Sequence, residues 1–322
     1  MTPRAARGYD PSVPPRLPLT SQRLVVVTGK GGAGKTTVTA ALARAGADAG
    51  RRVLAVEVGR GALGPLLGQA RLGAEPMRIE SRLAAATIEP EEALHDFVAG
   101  ALRFRILARR LLESTTFQVL AAAAPGLPEL LALHRICGWV EARRLGRPVH
   151  DLVLVDAPAS GHSLPLLGAP RTLGAFARIG PVAELLGRIE RLLADHARTL
   201  VCVVTTPEEL AVRETIELHR EFAGLGLAVA PPIVNAIPPR RFTAADAEAL
   251  DRLEDACGPH PYLRAARFQI ERRHHAEGQI TALRRALGVA PVRLPFLFAG
   301  PEGAAGMTAL AAELASSAGL AA

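Results

Sequence analysis

The stretch Gly29-Lys30-Gly31-Gly32-Ala33-Gly34-Lys35-Thr36-Thr37 decides the fold of this 322-residue chain. It satisfies the pattern G-x-x-x-x-G-K-[ST] of a phosphate-binding loop. A β-branched run at 23–28 precedes the loop, and helix formers without a breaker follow it from 35 to 49. This strand–loop–helix context suits phosphate binding, because backbone amides of the loop and the amino terminus of the helix converge on one anion.

Both lysines of the chain lie in this loop. Lysine and arginine together number 38, and 38 − 2 leaves 36 arginines. A compact ammonium fits a tight backbone cradle that a planar guanidinium does not. We therefore expect Lys35 to contact the β- and γ-phosphates of a nucleotide and the Thr36 hydroxyl to bind Mg²⁺.

The rest of the chain alternates apolar runs with helical stretches. The pattern predicts further strands at 53–58, 83–88, 151–156, 200–205, 228–235 and 291–294. Such alternation indicates an α/β fold with a doubly wound, mostly parallel sheet. Residues about 89–147 show helical periodicity and are predicted as a helical insertion on one side of the sheet. We expect residues 1–20 to form a flexible arm and 21–322 to form a single domain.

Composition and charge restrict the partners and the compartment. The net charge of +7 permits an acidic partner, but the arginines are scattered beside Glu and Asp. We interpret most of them as solvated faces, which makes nucleic acid an unlikely partner in the prediction. Cys137, Cys202 and Cys257 form no C-x-x-C pair, which is typical of reduced thiols in a cytoplasmic protein. The sequence has no apolar run of about 18 residues, so no integral membrane segment is predicted.

Asp156 ends a buried apolar strand and is followed by Ala157-Pro158-Ala159-Ser160-Gly161-His162. A carboxylate at the carboxyl end of a strand beside a phosphate loop can hold a Mg²⁺-bound water. Asp156 taken alone would be an ordinary helix N-cap. With the phosphate loop upstream, we predict that Asp156 assists the metal together with Thr36.

Four features together resemble the ArsA-type ATPases. They are the phosphate loop, the segment 156–162, the pattern Pro125-Gly126-x-x-Glu129, and the pair Val234-Asn235. That family includes the arsenite-pump ATPase and the ATPase that targets tail-anchored membrane proteins. The resemblance covers roughly residues 22–300 and is most specific at the loop.

The resemblance implies a Mg·ATP-dependent dimer, either of identical subunits or with a paralogous ArsA-like subunit. It implies that Lys30 is the signature lysine of a deviant Walker A motif and reaches the partner's nucleotide. It also implies that Asn235 contacts adenine and that Pro295 and Phe296 border the base. Lys30 as a solvent-facing loop lysine and Asn235 as a turn cap remain the alternatives. The predicted catalytic set is Lys30, Lys35, Glu57 and Asp156.

The sequence also departs from the family. Gly59 stands where the family places the aspartate that positions the attacking water, and Glu57 lies two residues earlier. Glu57 either orients water or the Mg²⁺ shell, or is an ordinary strand-end carboxylate. The zinc-binding C-x-x-C that bridges the dimer of the targeting ATPase and the Met-rich groove for hydrophobic cargo are not found in the sequence, so the client protein is unknown. The sequence predicts a slow switch ATPase. The alternatives are a nucleotide-binding adaptor without turnover and a partitioning or positioning ATPase.

Overall fold

The computed structural model of the chain describes residues 17, 21–59, 61–90, 127–174, 181–258, 260–298, 300 and 304–318. Eight strands form one sheet in the order β10-β9-β8-β1-β7-β2-β4-β3. Every neighbouring pair in it is parallel except β3 with β4. The predicted α/β fold with a mostly parallel sheet is thus confirmed. Its strands are β1 (Leu24–Gly29), β2 (Val53–Val58), β3 (Met77–Arg78), β4 (Leu83–Ile88), β7 (Leu152–Asp156), β8 (Thr199–Thr205), β9 (Ile233–Ile237) and β10 (Val292–Pro295).

Helices cover both faces of this sheet. One apolar cluster joins α1 and α9 to one face, and the other joins α3, α4, α5 and α6 to the opposite face. The central strands are buried along their whole length, as expected of parallel strands covered on both sides. The helices are α1 (Lys35–Asp48), α2 (Leu63–Leu66), α3 (Leu127–Glu141), α4 (Ser160–Gly174), α5 (Pro181–Ala194), α6 (Glu209–Gly224), α7 (Ala244–Cys257), α8 (Pro261–Leu287) and α9 (Ala304–Ala318).

The predicted insertion at 89–147 is helical only in part. Residues 91–126 lie outside the described residues, and α3 occupies the following stretch as a helix. The end of the predicted helical stretch is instead a hairpin of β5 (Arg143–Arg144) and β6 (Arg147–Pro148). Its two-residue loop has φ of 52° at Leu145 and 77° at Gly146. Two successive positive φ values make a tight hairpin turn, which a helix cannot contain.

Among the residues that the structure describes, no helix combines the length and the apolar character that a bilayer crossing requires.

Candidate functional site

The phosphate loop connects β1 to α1 at the carboxyl edge of the sheet. Gly34 is the N-cap of α1, with φ of 87°, and has no side chain that could cap the helix. A Cβ at Gly31 or Gly32 would meet no atom of the described residues within 4 Å. The loop therefore presents bare backbone toward open space in front of a helix amino terminus, and this arrangement fits the phosphates of a nucleotide.

Lys35 is folded back over the loop. Its half-buried Nζ donates a hydrogen bond to the carbonyl oxygen of Lys30 at 3.2 Å. Burial lowers the pKa of the Lys35 ammonium, while the nearby Asp156 carboxylate opposes that shift. The ammonium is thus held beside the bare loop amides by one weak contact, which a phosphate oxygen could replace.

Asp156 lies at the end of β7 and faces the first turn of α1. Its carboxylate is hydrogen-bonded to the Thr36 side chain, and the Thr39 hydroxyl lies 3.5 Å from Oδ1. Burial raises the pKa of Asp156 to about 6, against the lowering effect of the Thr36 hydrogen bond. The structure therefore brings together the two residues that the sequence predicts for Mg²⁺. A hydroxyl and a carboxylate suit this ion, which keeps most of its waters and takes only one or two protein ligands.

Glu57 stands beside Asp156, because the two are register partners on the neighbouring strands β2 and β7. Only 6% of each residue is exposed. Burial raises the pKa of Glu57, and its negative charge also helps to raise the pKa of Asp156. Two carboxylates so close together disfavour their simultaneous ionisation, and a cation between or beside them relieves that cost.

The Glu57 carboxylate accepts hydrogen bonds from the loop that follows β2. Its Oε1 accepts a hydrogen bond from the Leu63 amide at 2.9 Å, and the Gly61 amide donates to the same carboxylate. A Cβ at Gly61 would lie only 2.3 Å from this Oε1. Glu57 therefore anchors the backbone at the start of α2, a contact for which only glycine leaves space at position 61.

Gly59 is the first residue after β2. It has φ of 94°, and its amide donates to the Ile88 carbonyl at 2.8 Å while the Thr87 hydroxyl donates to its carbonyl at 3.1 Å. An aspartate would adopt this φ only with strain. The backbone conformation at this position accordingly favours the glycine over the aspartate that the family places there.

Lys30 is bound within its own chain. Its Nζ lies 2.9 Å from Oε1 of Glu214, which is on α6. About a third of each side chain is exposed, so the pair is accessible to water and contributes little to stability. The ammonium is therefore available to exchange this carboxylate for another anion.

The Asn235 side chain contacts the phosphate loop itself. Its Nδ2 donates to the carbonyl of Ala33 at 3.0 Å, and a Cβ at Gly34 would lie 2.2 Å from the same nitrogen. Pro295 ends β10, the strand next to β9, and the following Phe296 amide donates to Ile237 of β9 at 2.9 Å. The structure therefore places Asn235 against the loop, and Pro295 and Phe296 at the carboxyl end of the adjoining strand.

Comparisons with known proteins show the family of this chain. The family profile described as "Anion-transporting ATPase" matches residues 22–184. This chain belongs to the ArsA-type ATPase family. A "Putative ATPase" of Mycobacterium bovis and "ATPase BagA" of Mycobacterium tuberculosis are each 32% identical over 235 residues, which covers 71% of this chain and 69% of theirs. An "Arsenical pump-driving ATPase" of Escherichia coli is 27% identical over 242 residues, covering 69% of this chain but 40% of that protein.

The structure of this ArsA-type ATPase also shows contacts that the sequence analysis missed. Thr39, one turn after Lys35, adds a second hydroxyl beside Asp156. Its helical spacing could have been noticed, since residues four apart lie on one face of a helix. Glu214 as the partner of Lys30 carries no such signal, because the two are 184 positions apart. The adenine contact of Asn235 stays a prediction.

Proposed function

We propose that this ArsA-type ATPase is a Mg·ATP-dependent dimeric switch whose hydrolysis is slow and whose nucleotide state is coupled to a client protein. The observation that carries the proposal is the arrangement of Lys35, the bare loop amides and the Thr36–Asp156 contact around one open corner. Together they offer a cation, backbone donors and a metal-binding pair, which are the groups that a nucleoside triphosphate with Mg²⁺ requires.

Each residue has a defined role in this proposal. The loop amides and Lys35 hold the phosphates, and Thr36 with Asp156 holds the metal and its waters. When bound, Mg²⁺ supplies positive charge against the charge that develops on the phosphate oxygens. Asn235 supports the loop through Ala33 and, with Pro295 and Phe296, borders the base.

Slow hydrolysis is proposed from the loop after β2. Glu57 gives Oε1 to backbone amides, and Gly59 contributes no side chain. Neither residue is therefore well placed to orient an attacking water, and a poorly placed group costs on the order of a hundredfold in rate. A partner subunit that supplies the missing group would accelerate turnover.

A two-subunit state is proposed from Lys30. The lysine lies in the loop but pairs with Glu214 of α6, so its ammonium is directed to a carboxylate of its own chain in this conformation. Reaching a partner's nucleotide would give this second lysine a function that the loop alone does not need. The partner is a second copy or a paralogous ArsA-like subunit, and the proposed compartment is the cytoplasm.

The experiment is a steady-state hydrolysis assay of the purified chain, combined with titration of Mg·ATP by calorimetry. We expect clear binding and a low turnover that disappears in Lys35→Ala, which controls for contaminating ATPases. Turnover as fast as that of an efficient unassisted ATPase would overturn the assignment of Glu57 and Gly59. Absence of binding would overturn the proposed function as a whole.

The second candidate is a nucleotide-binding adaptor without turnover. The engagement of Glu57 by the Leu63 amide favours it, since this carboxylate is then structural. Tight Mg·ATP binding with no turnover, alone or with any paralogous subunit, would support the adaptor. Turnover that appears on mixing with a paralogue would instead support the switch ATPase.

A further inference from the structure

The amino edge of the sheet carries a row of arginines at the end opposite the nucleotide site. In parallel strands, the residues just before each strand all meet at one edge. In sheet order from β8 to β4 these residues are Arg198, Arg23, Asp151, Arg52 and Arg82. Arginines that are scattered in the sequence, and that we interpreted there as solvated faces, are thus gathered by the fold.

The β5–β6 hairpin extends this row. Arg23 donates from Nη2 to the carbonyl of Val140 at 2.7 Å, which holds the end of α3 and the base of the hairpin against the sheet. The hairpin adds Arg143, Arg144 and Arg147, all exposed. We call the hairpin together with Arg23, Arg52, Arg82 and Arg198 the arginine edge.

The positive charges of the arginine edge act on one another. Burial lowers the pKa of the Arg23 guanidinium, and the charges of Arg198, Arg143 and Arg52 lower it further. The pKa of His150 is lowered by burial and also by Arg52 and Arg23. Asp151 is the acid within the row, and the Arg52 guanidinium and backbone amide donate three hydrogen bonds to its carboxylate. The nearby Glu141 is already paired with Arg188.

The hairpin also places like charges opposite each other. Arg144 and Arg147 are direct cross-strand partners. Opposed like charges destabilise a two-stranded ribbon, so this pair does not serve the stability of the hairpin. An external anion would relieve the repulsion.

The tip of the same hairpin exposes a leucine. Leu145 is 97% exposed and has φ of 52°, and Gly146 follows it with φ of 77°. A turn with two positive φ values prefers Asn-Gly, and a leucine there is both strained and deprived of any buried surface. The chain therefore keeps an exposed apolar group in the turn between Arg144 and Arg147.

We propose that the arginine edge is a docking surface for an anionic lipid membrane, with Leu145 entering the interface between headgroups and acyl chains. Several basic residues give attraction to anionic headgroups, and an apolar tip among them gains from leaving water. Nucleic acid would satisfy the arginines equally well, but it would not explain a strained, fully exposed leucine between them. The inference is independent of the nucleotide chemistry proposed above.

The test is co-flotation of the purified full chain with vesicles at about 0.1 M salt, where charges more than about 10 Å apart are screened. One set of vesicles is phosphatidylcholine alone, and the other carries about a third phosphatidylglycerol. We expect binding to the anionic vesicles and little to the neutral ones. Equal binding to both, or to neither, would overturn the proposal.

Two variants separate docking from folding. Arg144→Glu/Arg147→Glu keeps a like-charged pair in the hairpin, and at about fivefold per arginine it should weaken vesicle binding by more than about twentyfold. Leu145→Asn restores the preferred Asn-Gly turn, so it should raise thermal stability while it weakens vesicle binding by about tenfold. The control Arg284→Glu/Arg285→Glu makes the same change in net charge on α8 and should bind vesicles as the wild type does.

Three further results would overturn the docking proposal. If the α8 control loses binding as fully as the hairpin variant, net charge rather than the arginine edge is responsible, and the proposal fails. It also fails if Leu145→Asn binds vesicles as well as the wild type, or if duplex DNA competes the protein off the vesicles at equal phosphate concentration. Unchanged Mg·ATP titration curves in all variants would show that the nucleotide site is intact.

Discussion

Both lysines of this protein lie in the phosphate loop, whereas arginines are used elsewhere. The contacts of Lys35 and Arg52 show why. Lys35 packs its ammonium against a loop carbonyl in a space bounded by backbone. The arginines instead form planar contacts, as Arg52 does with both oxygens of Asp151. A guanidinium is suited to such paired hydrogen bonds, whereas the small ammonium is suited to a phosphate cradle.

The first prediction at this scale concerns Lys35. Lys35→Ala removes the positive charge that the loop offers to the β- and γ-phosphates, so Mg·ATP affinity should fall by about a hundredfold or more. Lys35→Arg should not restore it, because the guanidinium does not fit the cradle. Calorimetric titration measures both affinities, and near-wild-type affinity for Lys35→Ala would contradict the assignment of the loop.

Asp156 should make stability depend on pH in a defined direction. Its pKa is raised from 3.8 to about 6, so ionisation of this carboxylate lowers the free energy of unfolding fully above pH 6 and hardly at all below pH 4. Asp156→Asn should therefore raise the free energy of unfolding at pH 8 by up to about 3 kcal/mol. At pH 4 that gain should vanish. Urea unfolding without nucleotide or Mg²⁺ measures both values.

Asp151 serves as the control, because its pKa is shifted in the opposite direction from that of Asp156. Its pKa is lowered to about 2, first of all by the side-chain hydrogen bond from Arg52. The stabilisation it contributes is present above pH 4 and lost as the pH falls toward 2. Asp151→Asn should accordingly destabilise the protein at pH 7 and have little effect near pH 2. A stabilising effect at pH 7 would contradict the linkage argument.

At the scale of elements, sequence patterns predicted the segments whose conformation depends on residues close together in the chain. The mostly apolar runs of β2 and β4 occupy the positions that the sequence indicated, 53–58 and 83–88. The β5–β6 hairpin was missed because its turn is Leu-Gly and not the usual Asn-Gly. The site follows the same division. The loop is visible in the sequence, whereas Glu214 beside Lys30 depends on packing between distant elements.

The loop between β2 and α2 gives a prediction about an element. Gly61→Ala places a Cβ 2.3 Å from Oε1 of Glu57, so the carboxylate or the loop must move. We expect a loss of about 1–3 kcal/mol in the free energy of unfolding and an altered rate of hydrolysis. Gly73→Ala is the matched control, because its Cβ would meet its nearest atoms only at 3.8 Å. Equal stability of the two variants would show that the Glu57 anchor is weak.

At the scale of the whole molecule, the two ends of the sheet have different chemistry. The carboxyl edge collects the loop, Asp156 and Glu57, while the amino edge collects the row of arginines. Helices cover both faces of the sheet between these ends, and α1 adds Lys35, Thr36 and Thr39 to the carboxyl edge. This division follows from a parallel sheet, in which every strand points the same way and each edge has one character.

The prediction for the assembly concerns Lys30. Lys30→Ala should keep the fold and the affinity of a single chain for Mg·ATP, yet weaken ATP-dependent dimerisation in sedimentation velocity. Glu214→Gln is the control, since it breaks the same ion pair and leaves the ammonium in place. It should dimerise at least as readily as the wild type. Dimerisation of Lys30→Ala at wild-type nucleotide concentrations would contradict the role across the dimer.

The length of the strands sets the distance between the arginine edge and the nucleotide site. β1 has six residues, and at a rise of about 3.3 Å per residue its first and last residues lie roughly 17 Å apart. A protein resting on a bilayer by the arginine edge would hold its nucleotide about that far above the headgroups, facing the aqueous side. Two such copies would meet by sliding in a plane instead of by diffusing through a volume. The dimerisation proposed above would then depend on the area of membrane available as much as on the amount of protein.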